Sequence, residues 1–382
     1  MASTQHTPTE LEAAGDQVLP AADELAGRFP LTPNPAPASP EAYREIMSTL
    51  AFGRNFTDHM AHMRWTREGG WGDREVIPYG PLELTPGASV FHYSQSVFEG
   101  IKAYRREDGS VWTFRPGFNA ARINHSARRL ALPEVSREDF VASLVDYVRA
   151  DAKWVPDAEG SSLYLRPFMF ASEEFVGVHP ADVVDYYVIG SPSGRYFKDG
   201  LAGVAIWVER EYHRAGPGGT GSAKAGGNYA ASLLPQIQAE ARGFSQVCFL
   251  DTYEGRYLEE LGGMNMFVVM ADGTVRTPEL SGVILEGGTR SAILRMLRDE
   301  GVDVREEKIA LSQVVDGIRS GTVAEVFACG TAAVVTPITR LGSDDFDVEL
   351  EVGNKTREIH RRLTDIQWGR AEDPYGWTYR LV

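Results

Sequence analysis

Short strand-like and helix-like segments alternate along most of the chain, and this alternation constrains the fold more than any other feature of the sequence. Segments rich in β-branched and aromatic residues predict strands at 89–95, 110–116, 161–172 and 183–191. The segment 136–154 opens with Ser-x-x-Asp and continues with helical spacing, which predicts a capped helix. Because strands and helices alternate and no internal repeat is visible, the sequence predicts a mixed α/β fold.

The length of the chain predicts two domains. At 382 residues the chain is too long for one ordinary hydrophobic core. Residues 1–40 are rich in Ala, Pro and Thr and are expected to form a flexible N-terminal arm that wraps or dangles. A small α/β domain is expected over 41–190 and a large one over 201–382. Between them, the segment 191–200 combines Pro, Ser and Gly with charged residues, which is typical of an interdomain linker.

Charge and composition limit the partners and the location that we expect. The formal net charge is −15, which repels both phosphate backbones and anionic lipid, so neither nucleic acid nor a membrane is an expected partner. The sequence lacks an apolar run long enough to span a membrane, and the first 40 residues lack a signal-peptide pattern. Cys248 and Cys329 lie in apolar stretches, which favours two buried free thiols in a reducing compartment. We therefore expect a cytoplasmic protein.

One lysine differs from the others in its surroundings. The chain has 32 arginines and only 6 lysines, and Lys224 has no charged residue within nine positions on either side. It follows Gly221 and precedes Gly226 and Gly227, close to the predicted start of a helix near Asn228. A lysine among small uncharged residues loses its proton at low cost when it is desolvated, as a covalent nucleophile requires. The same pattern is also compatible with a surface lysine in a flexible loop.

Two nucleotide-binding patterns occur around this lysine, and both lack their structural setting. Residues 216–221 match Gly-x-Gly-x-x-Gly, but more glycines and Lys224 intervene before the helix, so a dinucleotide site is not expected. A P-loop is not expected either, because Ser222 and Ala223 separate Gly221 from the lysine and no Ser or Thr follows it.

Other segments favour binding of an anion. Residues 286–291 contain two glycines and run directly into a predicted helix, whose N-terminus carries positive partial charge. Residues 330–332 lie between two apolar strands and offer amides and a hydroxyl, and Arg122 offers a balancing charge unless it lies on a solvated helix face. Two anion sites and an isolated lysine together predict a phosphorylated aldehyde cofactor.

A carboxylate completes this set of chemical groups. Glu259 and Glu260 precede a buried-looking strand that begins near Asn265. A carboxylate beside a pyridine nitrogen keeps that nitrogen protonated, so that the ring withdraws electrons. In isolation, the two acids are equally compatible with an exposed acidic turn.

In this order, the motifs resemble the fold-type-IV aminotransferases that use pyridoxal 5'-phosphate (PLP). Within that family they are most similar to the branched-chain amino-acid aminotransferases, and the resemblance covers roughly residues 50–370. The motifs are Phe52-Gly-x-x-Phe56-Thr-Asp58-His59-Met60, Phe98-Glu99-Gly100-x-Lys102-Ala-Tyr, Tyr164-x-Arg166-Pro167, Lys224-x-Gly-Gly-Asn228-Tyr229 and Glu260-x-Gly-x-Met-Asn265.

The resemblance implies a fold, a reaction and an assembly. The expected fold is that of a fold-type-IV enzyme, with two α/β domains and the cofactor between them. The expected reaction is reversible transamination between leucine, isoleucine or valine and 2-oxoglutarate. Tyr93 and Val178 would lie near the site of a neighbouring subunit, so the resemblance also implies a homodimer.

The resemblance also implies roles for individual residues. Lys224 would attach PLP and move a proton, Tyr229 would bond its phenolic oxygen, and Glu260, rather than Glu259, would face its pyridine nitrogen. The expected phosphate-binding residues are Arg122, Arg214, Gly288, Thr289 and Thr331. The expected substrate-binding residues are Phe52, Tyr93, Phe98, Tyr164, Val178 and Arg166, together with the amides of Thr331 and Ala332 for the α-carboxylate.

The sequence departs from the family at two places. Gly288 stands where members often have an apolar residue, and Ala333 and Thr336 stand where some members have a redox-active pair of cysteines. The remaining alternatives are D-amino-acid transamination, aminodeoxychorismate lyase activity, and a non-catalytic PLP-binding scaffold. His59 and His62 suggest a metal site only weakly, because no third ligand is apparent, and none is expected.

Overall fold

A computed structural model describes residues 7–195 and 201–382, and it contains both helices and strands in two compact units. The first unit comprises Met1–Arg195 together with Ile366–Val382, and the second comprises Tyr196–Asp365. The mixed α/β prediction is therefore confirmed. Each unit has its own sheet among the described residues.

The first unit is built on an eight-stranded sheet of described residues. Its strands are β1 (His59–Thr66), β2 (Gly70–Pro78), β3 (Ser96–Phe98), β4 (Ile101–Arg105), β5 (Val111–Phe114), β6 (Ser162–Ala171), β7 (Val183–Ser193) and β17 (Thr378–Arg380). The order is β17-β5-β4-β6-β7-β1-β2, with β3 beside β6. All these pairs are antiparallel. The strands predicted around 110–116, 161–172 and 183–191 correspond to β5, β6 and β7.

Helices cover the sheet of the first unit. They are α1 (Glu10–Gly15), α2 (Ala22–Leu25), α3 (Pro40–Thr49), α4 (Ser89–Tyr93), α5 (Pro116–Arg129) and α6 (Arg137–Ala150). The predicted cap of α6 is present, because the Ser136 side chain accepts a hydrogen bond from the Asp139 amide. Apolar residues of α6, among them Phe140 and Leu144, are fully buried in the core of this unit.

The N-terminal segment packs on the first unit, which is the wrapping and not the dangling arrangement of the arm expected over 1–40. From residue 7 onward it contains helices, and Leu11, Leu25 and Phe29 are buried. The Asp146 carboxylate accepts hydrogen bonds from the amides of Gly27 and Phe29. Although the segment is rich in Pro and Ala, these few apolar residues and backbone bonds hold it on the first unit.

The strand predicted at 89–95 is also corrected, because residues 89–93 form α4. The backbone of Ser94 is left-handed, with φ 50°, and this ends the helix before β3 begins at Ser96. Ser89 anchors α4 by donating hydrogen bonds to the carbonyls of Glu173 and Phe175. This tertiary anchoring outweighs the local preference of the aromatic residues for a strand.

The second unit is built on a nine-stranded sheet of described residues. Its strands are β8 (Val204–Val208), β9 (Gln246–Leu250), β10 (Leu258–Leu261), β11 (Asn265–Met270), β12 (Val275–Thr277), β13 (Val304–Glu306), β14 (Val323–Gly330), β15 (Val334–Ser343) and β16 (Phe346–Glu349). The order is β10-β9-β8-β15-β14-β11-β12-β13, with β16 beside β15.

Helices in the described part of the second unit lie between these strands or follow them. They are α7 (Gly226–Ala231), α8 (Leu233–Ala241), α9 (Gly288–Asp299), α10 (Leu311–Ser320) and α11 (Asn354–Gln367). The parallel strands β8 and β9 are connected through α7 and α8. Cys248 and Cys329 are buried free thiols, as predicted. No helix in the described ranges is long and apolar enough to cross a membrane.

The boundaries of the two units differ from the predicted domain boundaries at both ends of the second domain. Residues 366–382, expected in the large domain, belong to the first unit, where β17 pairs with β5 and Leu381 is buried. Of the predicted linker 191–200, the first three residues are the end of β7. Residues 196–200 lie outside the described residues.

Candidate active site

Lys224 lies next to Tyr229 in the second unit. The lysine precedes α7, and the tyrosine is on the first turns of that short helix, so the chain brings the two side chains together. Lys224 Nζ donates a hydrogen bond to Tyr229 Oη at 2.8 Å. Ala223 and Ala225, the neighbours of the lysine, are buried, and Lys224 itself is half-buried. The structure therefore places the isolated lysine in a packed setting beside a phenol.

Asn228 fixes the backbone that carries the lysine, a role that the sequence reasoning missed. Its side-chain amide donates to the carbonyls of Thr220 at 2.7 Å and Ala223 at 2.9 Å. Its side-chain oxygen accepts from the Thr220 hydroxyl at 2.6 Å. The available signal was the position of Asn228 within the Lys-x-Gly-Gly-Asn-Tyr motif.

Glu260 is buried on β10 and forms an ion pair with Arg214. Glu260 Oε1 lies 2.8 Å from Arg214 Nη1 and accepts the Leu285 amide at 2.7 Å. Burial raises the pKa of the Glu260 carboxyl to about 7, against the opposing effect of the Arg214 charge. Arg214 Nη1 also donates to the carbonyls of Gly221 and Val283, whereas its Nε and Nη2 are buried without a partner in the described part of the chain. Such donors are costly to bury unless a ligand accepts from them.

Asn265 connects Glu260 to the start of α9. Its side-chain amide donates to the Leu285 carbonyl at 2.9 Å and lies 3.4 Å from Glu260 Oε2. At Gly287, the residue before α9, an added Cβ would lie 2.0 Å from Asn265 Oδ1. Only glycine therefore fits at 287 without displacing this contact.

The predicted anion-binding residues lie at a helix start and in a tight turn. Gly288 and Thr289 form the first turn of α9, whose twelve residues give a helix dipole directed at this end. Thr331 and Ala332 lie in the turn between β14 and β15, where Gly330 pairs with Val334. Both features belong to the second unit, as do Lys224 and Glu260.

Arg122 belongs to the first unit and is held by Glu99. Arg122 Nε donates to Glu99 Oε1 at 2.8 Å, and Nη2 donates to Oε2 at 2.7 Å. Asn119 adds a hydrogen bond to the same carboxylate at 2.7 Å, and all three side chains are buried. A two-point pair of this kind fixes the plane of the guanidinium. The motif that contains Glu99 is recognisable in the sequence, but the pairing of its carboxylate with Arg122 is not.

The predicted substrate-binding residues of the first unit form a cluster of aromatic rings around an arginine. Phe52 packs edge-on against Tyr164, with ring centroids 4.9 Å apart. The Arg166 guanidinium lies 4.6 Å from the centre of the Phe98 ring and donates to Tyr164 Oη at 3.1 Å. Arg166 Nε is buried without a partner among the described residues. The cluster thus combines apolar surface with an anion-binding side chain.

Among the described residues, Tyr93 and Val178 take no part in the ring and guanidinium contacts of this cluster. The Tyr93 hydroxyl donates to the Val176 carbonyl. Val178 is 85% exposed, and Phe175 and Val176 beside it are also exposed. Together, residues 175–178 present an apolar surface on this unit.

The two histidines considered as metal ligands have carboxylate partners instead. His59 Nδ1 lies 2.7 Å from Asp151, and His62 lies between Glu75 and Asp185. A different group in the described residues, Glu173, His179 and Asp182, has its ligand atoms within 4.8 Å of one another. In that group, Asp182 is paired with Arg67 and Glu173 accepts a backbone amide.

Comparison with known proteins matches this arrangement to one family. The family model of amino-transferase class IV matches residues 96–341. A branched-chain-amino-acid aminotransferase from Mycolicibacterium smegmatis is 47% identical over 360 residues, covering 92% of this chain and 98% of that protein.

Solved structures give the same result. The branched-chain aminotransferase of Thermoproteus uzoniensis with norvaline has a TM-score of 0.70 and 26% identity, covering 84% of this chain and all of that one. The branched-chain amino acid aminotransferase of T.th., in complex with N-(5'-phosphopyridoxyl)-L-glutamate, has a TM-score of 0.68 and 26% identity, covering 84% and 99%. The chain is a member of the class IV aminotransferase family and has its fold-type-IV architecture.

Proposed function

We propose that this chain is a PLP-dependent transaminase for branched-chain L-amino acids. Leucine, isoleucine and valine would exchange their amino group with 2-oxoglutarate, yielding branched-chain 2-oxo acids and glutamate. The observation that carries the proposal is the Lys224–Tyr229 hydrogen bond in the same unit as the buried Glu260. Relatives with the corresponding name, 47% identical over almost the whole chain, support the substrate class.

The chemical groups of the second unit fit PLP. The buried Nε and Nη2 of Arg214 have no partner within the described residues, and an anionic ligand would satisfy them. The start of α9 at Gly288 and Thr289 and the turn at Thr331 offer further groups for a phosphate. Lys224 offers the amine that an aldehyde requires. We propose that Arg122, oriented by Glu99, adds a second guanidinium for the phosphate.

When bound, PLP supplies an aldehyde for the amino group and an electron-poor ring that stabilises negative charge at the substrate Cα. We propose that Lys224 Nζ removes the proton from the substrate Cα and would deliver it to the carbon of the cofactor that carried the aldehyde, so that the amino group stays with the cofactor when the 2-oxo acid leaves. Tyr229, 2.8 Å away, would hold Nζ in position and bond the phenolic oxygen. The Glu260 carboxyl, oriented by Arg214 and the Leu285 amide, would hold a proton on the pyridine nitrogen.

Substrate binding would use the aromatic cluster of the first unit. Phe52, Phe98 and Tyr164 offer apolar surface for a branched side chain, worth roughly 0.8 kcal/mol for each buried CH₂. Arg166 would bind the γ-carboxylate of glutamate, because the glutamate side chain is long enough for this carboxylate to reach the guanidinium. The amides of Thr331 and Ala332 would bind the α-carboxylate.

We also propose that the enzyme is a cytoplasmic homodimer. The exposed apolar residues 175–178, including Val178, support a partner surface beside Tyr93. The two buried free thiols support a reducing compartment, and the net charge of −15 argues against nucleic acid as a partner.

Steady-state kinetics with 2-oxoglutarate test the proposed function. We expect leucine, isoleucine and valine to have kcat/KM values within roughly 100-fold of one another, since one methylene is worth about 1–3 kcal/mol in such a pocket. Alanine should be poor because it lacks the apolar contacts, and aspartate poorer because its short carboxylate meets the apolar wall. Preference for D-alanine or aspartate over leucine would refute the substrate assignment.

A further inference from the structure

The second unit contains a cavity of about 320 Å³ that lies apart from the proposed cofactor residues. Its walls come from the loop between β9 and β10, from β10 itself, from residues 278–284 and from Lys308. The volume lies in the range of small-molecule sites, which is about 300–1,000 Å³. None of the residues assigned above to the cofactor or substrate lines it.

Glu259 is the unusual member of this cavity. Glu259 is only 8% exposed, and its side chain has no hydrogen-bond or ion-pair partner in the described part of the chain. Burial, with the nearby charges of Asp251 and Glu260, raises the pKa of this carboxyl to about 7. The carboxyl faces the cavity, so a cationic ligand bound there would pair with it and favour its charged form.

Two other carboxylates of the cavity already have partners. Asp251 accepts the amides of Glu254, Arg256 and Tyr257 and thereby holds its own loop. Glu254 lies 3.9 Å from Arg256. A third carboxylate of the lining, Glu279, belongs to an exposed residue and is hydrated. The carboxylate best placed to receive a cation is therefore Glu259.

The rest of the cavity combines a positive charge with apolar surface. The Lys308 ammonium lies 5.3 Å from the centre of the Tyr257 ring on the cavity wall. Leu258, Val283 and Ile284 supply buried apolar side chains. A ligand that uses all of these features has an ammonium group, a carboxylate and an apolar body.

We propose that this cavity is a second binding site for an α-amino acid with an apolar side chain. Glu259 receives the ammonium group, Lys308 receives the carboxylate, and Val283 and Ile284 contact the side chain. The part of the cavity wall around Val283 adjoins the proposed active site. The Val283 carbonyl accepts a hydrogen bond from Arg214, and the nearby Leu285 amide donates one to Glu260.

Isothermal titration of the borohydride-reduced holoenzyme with L-leucine tests this proposal. Reduction prevents covalent reaction at the active site, so binding is measured without turnover and independently of the transaminase assignment. We expect one leucine per chain whose binding depends on Glu259 and Lys308, in addition to any leucine that enters the aromatic cluster without reacting. Glu259→Gln should weaken binding roughly tenfold or more, equivalent to about 1.4 kcal/mol, because the ammonium group loses its charged partner. Lys308→Met should weaken it severalfold, and Glu254→Gln, on the same cavity wall, should leave it unchanged.

Two analogues of leucine, each of which lacks one of its two charged groups, complete the test with the unsubstituted protein. Both 3-methylbutylamine, without the carboxylate, and 4-methylpentanoate, without the ammonium, should bind at least severalfold more weakly than leucine. Circular dichroism and thermal unfolding establish that the variants are folded. The proposal is overturned if the reduced enzyme binds no leucine, if folded Glu259→Gln binds it as well as the unsubstituted enzyme, or if either compound binds as tightly as leucine.

Discussion

At the scale of single residues, Glu260 and Glu259 are neighbours on β10 with different surroundings. Glu260 contacts Arg214 and the Leu285 amide, whereas Glu259 lines a separate cavity. We predict that Glu260→Gln lowers kcat by on the order of 10²-fold or more, because the ring loses its electrostatic partner.

Glu259→Gln is the matched control for this substitution and should change kcat by less than about twofold, a difference worth under 0.5 kcal/mol. Steady-state transamination of leucine by the two purified variants measures both effects. If Glu259→Gln proves the more damaging, the assignment of the pyridine carboxylate is off by one residue.

The raised pKa of Glu259 has a consequence for stability that depends on pH. The folded state binds this proton more tightly than the unfolded chain, with a pKa of about 7 against 4.5. The stabilising contribution is therefore complete below pH 4.5 and is lost as the pH rises through 7. Between pH 5 and pH 8, apo Glu259→Gln should therefore become progressively more stable than the unsubstituted apoenzyme, by an amount that solvent screening of this partly hydrated carboxyl reduces.

Urea denaturation of both apoproteins at pH 5 and pH 8 measures this difference. The gain should grow with pH because glutamine carries no ionisable proton. A gain that is equal at the two pH values would show that the Glu259 carboxyl does not titrate in this window.

At the scale of secondary-structure elements, the start of α9 depends on Gly287. An added Cβ would overlap the Asn265 side chain, which lies beside Glu260. We predict that Gly287→Ala weakens PLP binding roughly tenfold or more, equivalent to about 1.4 kcal/mol, because α9 or Asn265 must move. Gly80→Ala is the control, since nothing lies within 4 Å of an added Cβ there.

Equilibrium dialysis of the apoenzymes against PLP measures both affinities. We expect the Gly80→Ala affinity to equal that of the unsubstituted protein. An unchanged affinity in Gly287→Ala would mean that the anion-binding function does not depend on this helix start.

Local sequence patterns predict the strands β5, β6, β7 and β11 and the residues that surround Lys224. The runs of apolar and aromatic residues in β6 and β7 and the Ser136 cap of α6 are local features, so they can be recognised from the sequence alone. The helix at 89–93 was missed because Ser89 is anchored by carbonyls more than 80 residues away. Likewise, the Glu99 carboxylate meets Arg122 only after β4, β5 and α5 have packed, so its role is invisible in the local pattern.

At the scale of the whole molecule, the two ends of the chain belong to the same unit. The C-terminal strand β17 pairs with β5, and the Tyr379 hydroxyl donates to the Pro20 carbonyl at 2.8 Å. Contacts between residues so far apart in sequence carry no local signature. The sequence pattern therefore predicts residues 366–382 in the second domain, whereas they belong to the first unit.

The proposed dimer is tested at the same scale. We predict a mass of twice 42.0 kDa in analytical ultracentrifugation, because an exposed apolar surface at 175–178 favours a partner. Val178→Asp should shift the equilibrium towards the monomer, since it places a charge on that surface. Val18→Asp is the control, at a valine that is 95% exposed on the same unit. A monomeric unsubstituted protein, or equal effects of both variants, would argue against this surface as the interface.

Borohydride reduction followed by peptide mapping tests the central claim most directly. The purified holoenzyme is reduced and digested, and the peptide that carries the pyridoxyl group is sequenced by mass spectrometry. With six lysines in the chain, the label identifies one position without ambiguity. We predict that the pyridoxyl group is found on Lys224, whose Nζ contacts Tyr229 in the second unit. A label on Lys102 or on any other lysine would contradict the account.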